Sequence, residues 1–404
     1  MPKLHFILFK LILFMKKILI HLMLTYLLFT INSVSIADSL NAGNKNKKLL
    51  KIGVLLPLSG KFQDIGESFL KAIELGLNDI SNKNIIIYPK DSKANPLDTY
   101  LSAKEFEKMG IKIVIGPVFF ENLERLNEVN NVTFISLTNK NDKIPKNTIA
   151  FGININSQIT VLKKYFNKIK VSKTLLLTPR TEFINENENI EDSDLKFYRT
   201  FFYDTSPKKI TSEIEKLTKY QERKRDLERR IKILEKSELY KDKEEIKKLE
   251  QKHTLGKVSF DSVVVLDFGE RLKSVLTSFM FSDISNEEVN FFTLNQWFDE
   301  TFFNENALQN LHFPSIDLKN LKKFKKKYIK EFDEEPNKVS ILAYDALGLI
   351  YYCWKNNDLQ FNRNLLYNKN GFKGMHGKFT IINNASIQEL KIYKVVKKKF
   401  VKVY

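Results

Sequence analysis

Cysteine is almost absent from this 404-residue chain and histidine is scarce, with one and five copies respectively. The single Cys353 excludes an internal disulfide, and its neighbours Tyr351, Tyr352 and Trp354 mark it as a buried structural thiol rather than a reactive one. His253, His312 and His376 lie far apart, and no H-x-x-H or cysteine pair offers metal-ligand spacing, so no metal site is expected. Nucleotide and hydrolase signatures are missing too. No G-x-G-x-x-G follows the first strand and no G-x-S-x-G elbow occurs. The stretch 371–378 ends in Gly-Lys but fails as a phosphate loop, because Phe372 stands where its first Gly belongs and Phe379 where Ser or Thr belongs. Neither a cofactor nor enzyme activity is expected.

What is present is an ordinary globular composition, 43% hydrophobic and 28% charged, in a chain long enough for two domains with cores of their own. Basic residues outnumber acidic ones, giving a formal charge of +18. Clustered Lys and Arg would suit phosphate, yet the lysines here are scattered along the sequence, and no helix-turn-helix, ribonucleoprotein or zinc-finger pattern accompanies them. Nucleic acid is therefore not expected as a partner. The positive field better suits anionic envelope polymers or lipid headgroups.

The first 37 residues read as a signal peptide. An apolar stretch over 4–31 is interrupted by Lys10, Lys16 and Lys17, and Met15 offers an internal start. After Lys17 the apolar run is shorter than the ~20 residues a membrane span needs, and Ser35-Ile36-Ala37 has the small-x-small form of a cleavage site. Asp38 stands where a lipoprotein would carry cysteine, so a periplasmic protein that meets membranes only through partners is expected. The polar stretch 38–48 reads as a linker.

Beyond it, strand and helix alternate. Ile52 to Leu56 is an apolar run closed by Pro57 and Ser59-Gly60, the pattern of a strand buried on both faces of a parallel sheet. From Gly66 onward Phe69, Ala72, Ile73 and Gly76 recur at helical spacing. Further strands are expected at 85–88, 111–115, 132–137, 173–178, 200–203, 262–268 and 290–298, with helices between them, which predicts parallel sheets with right-handed crossovers. The segment 208–253 departs from this rhythm. It is rich in Lys, Arg and Glu, with Leu227, Ile231 and Leu234, then Ile246 and Leu249, at helical spacing. It reads as one long helix or two meeting near 237–242, either a solvated charged pair or a docking arm.

The wording LLPLSGKFQDIGESFLKAIELGLND at 55–79 resembles the opening of type I periplasmic binding proteins, the leucine/isoleucine/valine-binding class. Ile113-Val114-Ile115-Gly116-Pro117, Val132-Thr133-Phe134-Ile135-Ser136 and Ile149-Ala150-Phe151-Gly152 follow in that class's order and spacing. So do Phe324, Tyr328, Phe332 and Pro336 ahead of Ala343-Tyr344-Asp345-Ala346, and the hairpin Gly371-Phe372-x-Gly374-x-x-Gly377-x-Phe379. The resemblance implies an α/β fold of two lobes, each a mostly parallel sheet flanked by helices, with a coiled-coil-like helical insertion at 208–253 in the second. It places 49–152 and about 315–356 in the first lobe, and 153–314 and about 370–404 in the second.

It also implies a small-molecule ligand held in the interlobe cleft by hinge closure, with candidate contacts at strand ends: Ser59, Phe62, Phe119, Phe120, Ser136 and Thr138 from one lobe, Arg180, Tyr203 and Asp267 from the other. Hydroxyls and backbone N–H groups would take a carboxylate, aromatics would cover an apolar body, and Asp267 would pair an ammonium. The function so implied is capture of an amino-acid-like solute for a transporter's membrane permease. One departure favours an alternative. Where amino-acid binders of the class resemble G-P-x-x-S-S, this chain has Phe119, Phe120 and Glu121 after Gly116-Pro117-Val118. The penicillin-binding protein activators, a branch that keeps the Pro-Leu-Ser-Gly start and the Gly-Pro motif, and which the charged insertion followed by Leu255-Gly256-x-Val258-x-Phe260-Asp261 resembles, would make it an adaptor contacting a cell-wall synthase.

Overall fold

The apolar run at 52–56 is the centre of β1 (Leu50–Leu56), buried along its length except at Lys51. It lies between two parallel neighbours, β2 (Ile85–Asp91) and β3 (Ile113–Ile115), with Ile52 opposite Ile87 on one side and Ile113 on the other. The computed structural model describes residues 48–180, 195–237, 239–294, 305–397 and 399–404. The expected signal peptide, all of the linker but Lys48, and the end of the strand expected at 290–298 fall outside these residues.

β4 (Thr133–Ser136) and β5 (Thr148–Ala150) extend the first sheet in parallel. A late hairpin then completes it: β11 (Phe372–Lys373), β12 (Lys378–Ile382) and β13 (Ala385–Gln388), the last parallel to β5 with Ala385 opposite Ala150. The second sheet contains β6 (Thr174–Pro179), β7 (Arg199–Tyr203), β8 (Ser262–Val265), β9 (Asn290–Thr293) and β10 (His312–Ser315), all parallel, closed by antiparallel β14 (Lys391–Val396) and β15 (Lys399–Lys402). The protein is thus α/β with two mostly parallel sheets. One boundary differs from the expectation: 372–388 belongs to the first sheet, and the second receives only β14 and β15 from the end of the chain.

Helices cover the sheets with their apolar faces. α1 (Gln63–Ile80) buries Phe69, Ala72 and Ile73 against β1. Its first turn runs so close to the strand end that a Cβ on Gly66 would stand 1.9 Å from the Pro57 carbonyl oxygen, which explains the glycine after the Pro-Leu-Ser-Gly turn. α2 (Pro96–Lys108) is started by Asn95, whose side chain accepts from the Leu97 and Asp98 N–H groups. α3 (Ile155–Ile169) follows the first crossing between sheets and is capped by Asn154. α4 (Pro207–Thr218) packs Ile210 and Ile214 into the second lobe's core beside α7 (Gly269–Phe281). α8 (Leu318–Phe332) and α9 (Ile341–Lys355) return to pack against α1. Cys353 on α9 is buried, and burial pushes its thiol up to about 12.

The charged segment forms two helices, α5 (Tyr220–Leu234) and α6 (Tyr240–Leu249), closed on each other through Leu227, Leu234 and Leu249. The hairpin begins after Lys219, which takes the left-handed conformation with φ 53°, so 208–218 is part of the lobe rather than of the insertion.

Candidate functional site

Two crossings between the sheets are tied by a buried polar network. Asn154 donates from Nδ2 to the Ser386 carbonyl at 2.6 Å, and the Ser157 hydroxyl bridges Asn154 Oδ1 at 2.9 Å and Gln388 Oε1 at 2.8 Å. Gln388 Nε2 donates to the Phe151 and Gly152 carbonyls, both at 3.2 Å, and to Ser386 Oγ at 2.7 Å. All four side chains are buried, so each bond is made away from competing water.

A second clamp joins two motifs read separately from the sequence. The Asp345 carboxylate, buried on α9, accepts from the Met375 and His376 backbone N–H groups at 2.6 Å each and pairs with His376 Nδ1. A Cβ on Gly374 would come within 2.6 Å of that carboxylate, so glycine is what lets the turn sit on it. The motif residues Asp345 and Gly374 therefore form a structural joint.

The strand ends, where ligands sit in open α/β sheets, show how the nominated polar groups are used. Ser59 follows β1 and donates its hydroxyl to Asp91 Oδ2 at 2.5 Å, while Leu58 and Lys93 N–H groups each reach Asp91 Oδ1 at 2.8 Å. Burial works to raise the Asp91 pKa, but these donors outweigh it and hold the carboxyl below its usual range. Ser136 ends β4; its hydroxyl donates to the Pro117 carbonyl at 2.8 Å and accepts from Thr138 N–H at 3.3 Å. Thr138 Oγ1 in turn accepts from Lys140 N–H at 3.2 Å. Both residues are buried.

In the second lobe Tyr203 closes β7 and donates its hydroxyl to Asp267 Oδ2 at 2.5 Å. Burial, reinforced by that carboxylate, drives the Tyr203 pKa far above its ordinary value. Asp267 also accepts from Phe268 N–H at 2.9 Å and pairs with Arg271 Nε at 2.9 Å. An incoming ammonium would thus meet a carboxylate already neutralised by a guanidinium. Arg180, just past β6, is different: its side chain is 57% exposed and, among the described residues, pairs with Glu213 at 3.2 Å.

The aromatics stay presentable. Phe62 packs on Phe119 with ring centroids 4.6 Å apart, the Lys61 ammonium lies 5.4 Å from the Phe62 ring, and the Lys140 ammonium 5.6 Å from Phe120. Opposite in the chain's logic, at the end of β8, Phe268 is 64% exposed beneath the Arg271 guanidinium. Asp91, Phe268 and Arg271 were missed in the sequence; only Arg271, four residues past Asp267 at the start of a helix, carried a local signal.

The hairpin is built the other way. Its base is fixed by Arg223, buried, which donates from Nε to the Thr218 carbonyl at 3.0 Å, from Nη1 to Thr254 Oγ1 at 2.8 Å and from Nη2 to the Ser282 carbonyl at 2.5 Å. Thr254 passes the contact on to Asp283 at 2.6 Å. Its far end exposes Ile233, Leu239 and Tyr240, at 55%, 65% and 78%.

No protein-family model matches the chain, and no curated protein sequence matches it. Solved structures do. The C-domain of LpoA from Haemophilus influenzae, described as a regulator of PBP1A, is 14% identical, with a TM-score of 0.59 over 88% of this chain and 100% of that one. A putative branched-chain amino acid ABC transporter protein from Rhodospirillum rubrum is 12% identical, TM-score 0.65, over 88% and 100%. LivJ of Streptococcus pneumoniae, the substrate-binding protein of a branched-chain amino acid transporter solved with isoleucine, is 16% identical, TM-score 0.53, over 88% and 100%. These neighbours are binding proteins and a regulator, and likeness at such identities speaks for architecture alone: this chain has the type I periplasmic-binding-protein fold.

Proposed function

We propose that this protein is a non-enzymatic adaptor of the bacterial periplasm that acts by holding a partner protein, in the manner of a regulator of a cell-wall synthase. The observation that carries the reading is the contrast in side-chain use. At the strand ends Ser59, Ser136, Thr138, Tyr203 and Asp267, the groups that would grip an amino acid's carboxylate and ammonium, are spent on internal bonds. The hairpin, by contrast, is locked at its base and offers bare apolar side chains at its tip, as protein contacts require. The LpoA likeness supports this reading without deciding it.

A second reading rests on the aromatic and cationic rim. Phe62, Phe119 and Phe268 with Arg180 suit a small anionic, apolar solute better than a zwitterion. Such a solute, by touching both lobes, would draw them together for a transporter.

The test replaces 226–251 by a short Gly-Ser link, which keeps Arg223, Thr254 and the core. Loss of capture of a purified PBP1A-type synthase, with the melting transition of the lobes kept, supports the adaptor. Undiminished capture together with a saturable thermal shift from an aromatic acid supports the solute reading instead.

A further inference from the structure

α8 carries two unlike faces. Leu321, Phe324, Tyr328 and Phe332 pack inward, with Phe324 and Tyr328 fully buried. On the opposite face Lys319, Lys322, Lys323, Lys326 and Lys330 are all exposed. Their spacing places them within an arc of about 100° and along about 16 Å of helix axis. Helical spacing thus sorts five of the seven lysines in 319–330 onto one face of the helix.

None of these five ammonium groups has an ion-pair or hydrogen-bond partner among the described residues. Acids are close at hand, yet they serve the flanks: Glu335 pairs with Lys325 at 2.5 Å, Asp79 with Lys327 at 2.7 Å and Glu334 with Lys71 at 2.7 Å. Like charges three and four residues apart destabilise a helix, so the bare stripe is a local cost that an anionic partner would offset.

We propose that this stripe is a docking track for a linear polyanion, a chain of repeated phosphate or carboxylate groups without bases. Its shape argues for a chain: the lysines run in a band one helix face wide. A broad anionic bilayer would also press on Glu331, Asp333, Glu334 and Glu335, exposed at the same end of the helix. No aromatic side chain shares the stripe, so it lacks the stacking platform that single-stranded nucleic acids use. Lysine is a point charge with rotatable donors and accepts either phosphate or carboxylate without a fixed fork geometry. The proposal does not depend on which partner the hairpin holds.

The experiment compares the full chain with two quintuple variants of equal charge. One changes Lys319, Lys322, Lys323, Lys326 and Lys330 to Gln, a residue of similar helix propensity. The other changes Lys83, Lys108, Lys112, Lys164 and Lys224, also exposed, to Gln. Inorganic polyphosphate and alginate serve as phosphate and carboxylate probes, with duplex DNA and phosphatidylglycerol vesicles alongside. The expected result is binding of one or both polymers, weakened about tenfold or more in the stripe variant but much less in the control, with a shallower salt dependence. Whichever polymer binds tighter identifies the anionic group. The stripe variant should melt at or above the temperature of the unaltered chain. The proposal is overturned if neither polymer binds, if the control variant loses as much, if the stripe variant melts lower, or if the stripe variant loses DNA or vesicle binding while keeping the polymers.

Discussion

The strand-end rim and the helical hairpin are both rich in polar side chains, but they use them in opposite directions. At the rim, charge and hydroxyl turn inward: Asp91 gathers Ser59 and two backbone amides, and Asp267 gathers Tyr203, Arg271 and a backbone amide. The hairpin is anchored at its base through Arg223 and leaves the apolar side chains of Ile233, Leu239 and Tyr240 exposed toward its far end. A polar residue in a cleft is a ligand contact only if its bonding capacity is still open. At the rim most of it is closed, and this moves the weight of the functional argument to the hairpin.

The largest effect should come from the hairpin's base. Arg223→Ala removes three buried, charge-assisted hydrogen bonds and strands the Thr218 and Ser282 carbonyls, at a cost of about 4 kcal/mol in urea unfolding. A loss below about 1 kcal/mol would mean the hairpin is not fixed as described. At the rim, Arg271→Ala leaves the buried Asp267 carboxylate without its cation and should cost about 3 kcal/mol, less than a fully buried pair because Arg271 is half exposed. If Asp267 were reserved for a ligand's ammonium, the same variant would instead be rescued by that ligand, visible as a restored melting temperature.

A third prediction concerns the second sheet, which carries the Tyr203–Asp267 part of the rim and the lobe from which the hairpin rises. His312 stacks on Phe292 with ring centroids 4.9 Å apart, and burial, outweighing its contact with the Phe291 carbonyl, lowers its pKa to about 4. The neutral ring is favoured in the folded state, so its contribution is present above the unfolded pKa near 6.5 and is lost as pH falls from there toward 4. The loss amounts to about 3 kcal/mol. His312→Phe should flatten that part of the stability profile; an unchanged acid limb would exclude His312 as its source. The smallest effect is Tyr203→Phe, about 1.5 kcal/mol, since one hydrogen bond to a carboxylate is lost while Arg271 remains.

The fold was largely legible because a parallel strand buried on both faces reads as an apolar run, as at 52–56 and 262–265. The assignment of 372–388 to the second lobe failed on something local sequence does not carry: sheet membership is decided by Ala385 pairing with Ala150, far away in the chain. The start of the insertion was blurred for a related reason. Apolar helical spacing runs on from Ile210 and Ile214 to Leu227, and the break between them is Lys219 in a left-handed conformation with no glycine to announce it. Candidate site residues could be placed at strand ends, but their partners could not: Ser59 meets Asp91 across 32 residues, and Tyr203 meets Asp267 across 64.

The central claim, that the hairpin tip rather than the rim engages the partner, is tested most directly by titrating a purified PBP1A-type synthase with the chain carrying Ile233→Glu, Leu239→Glu and Tyr240→Glu. These side chains are exposed, so folding should be unchanged by circular dichroism. The account predicts that affinity falls at least about a hundredfold, the scale of one lost apolar hot spot. Affinity equal to that of the unaltered chain, in a variant that is fully folded, would contradict it.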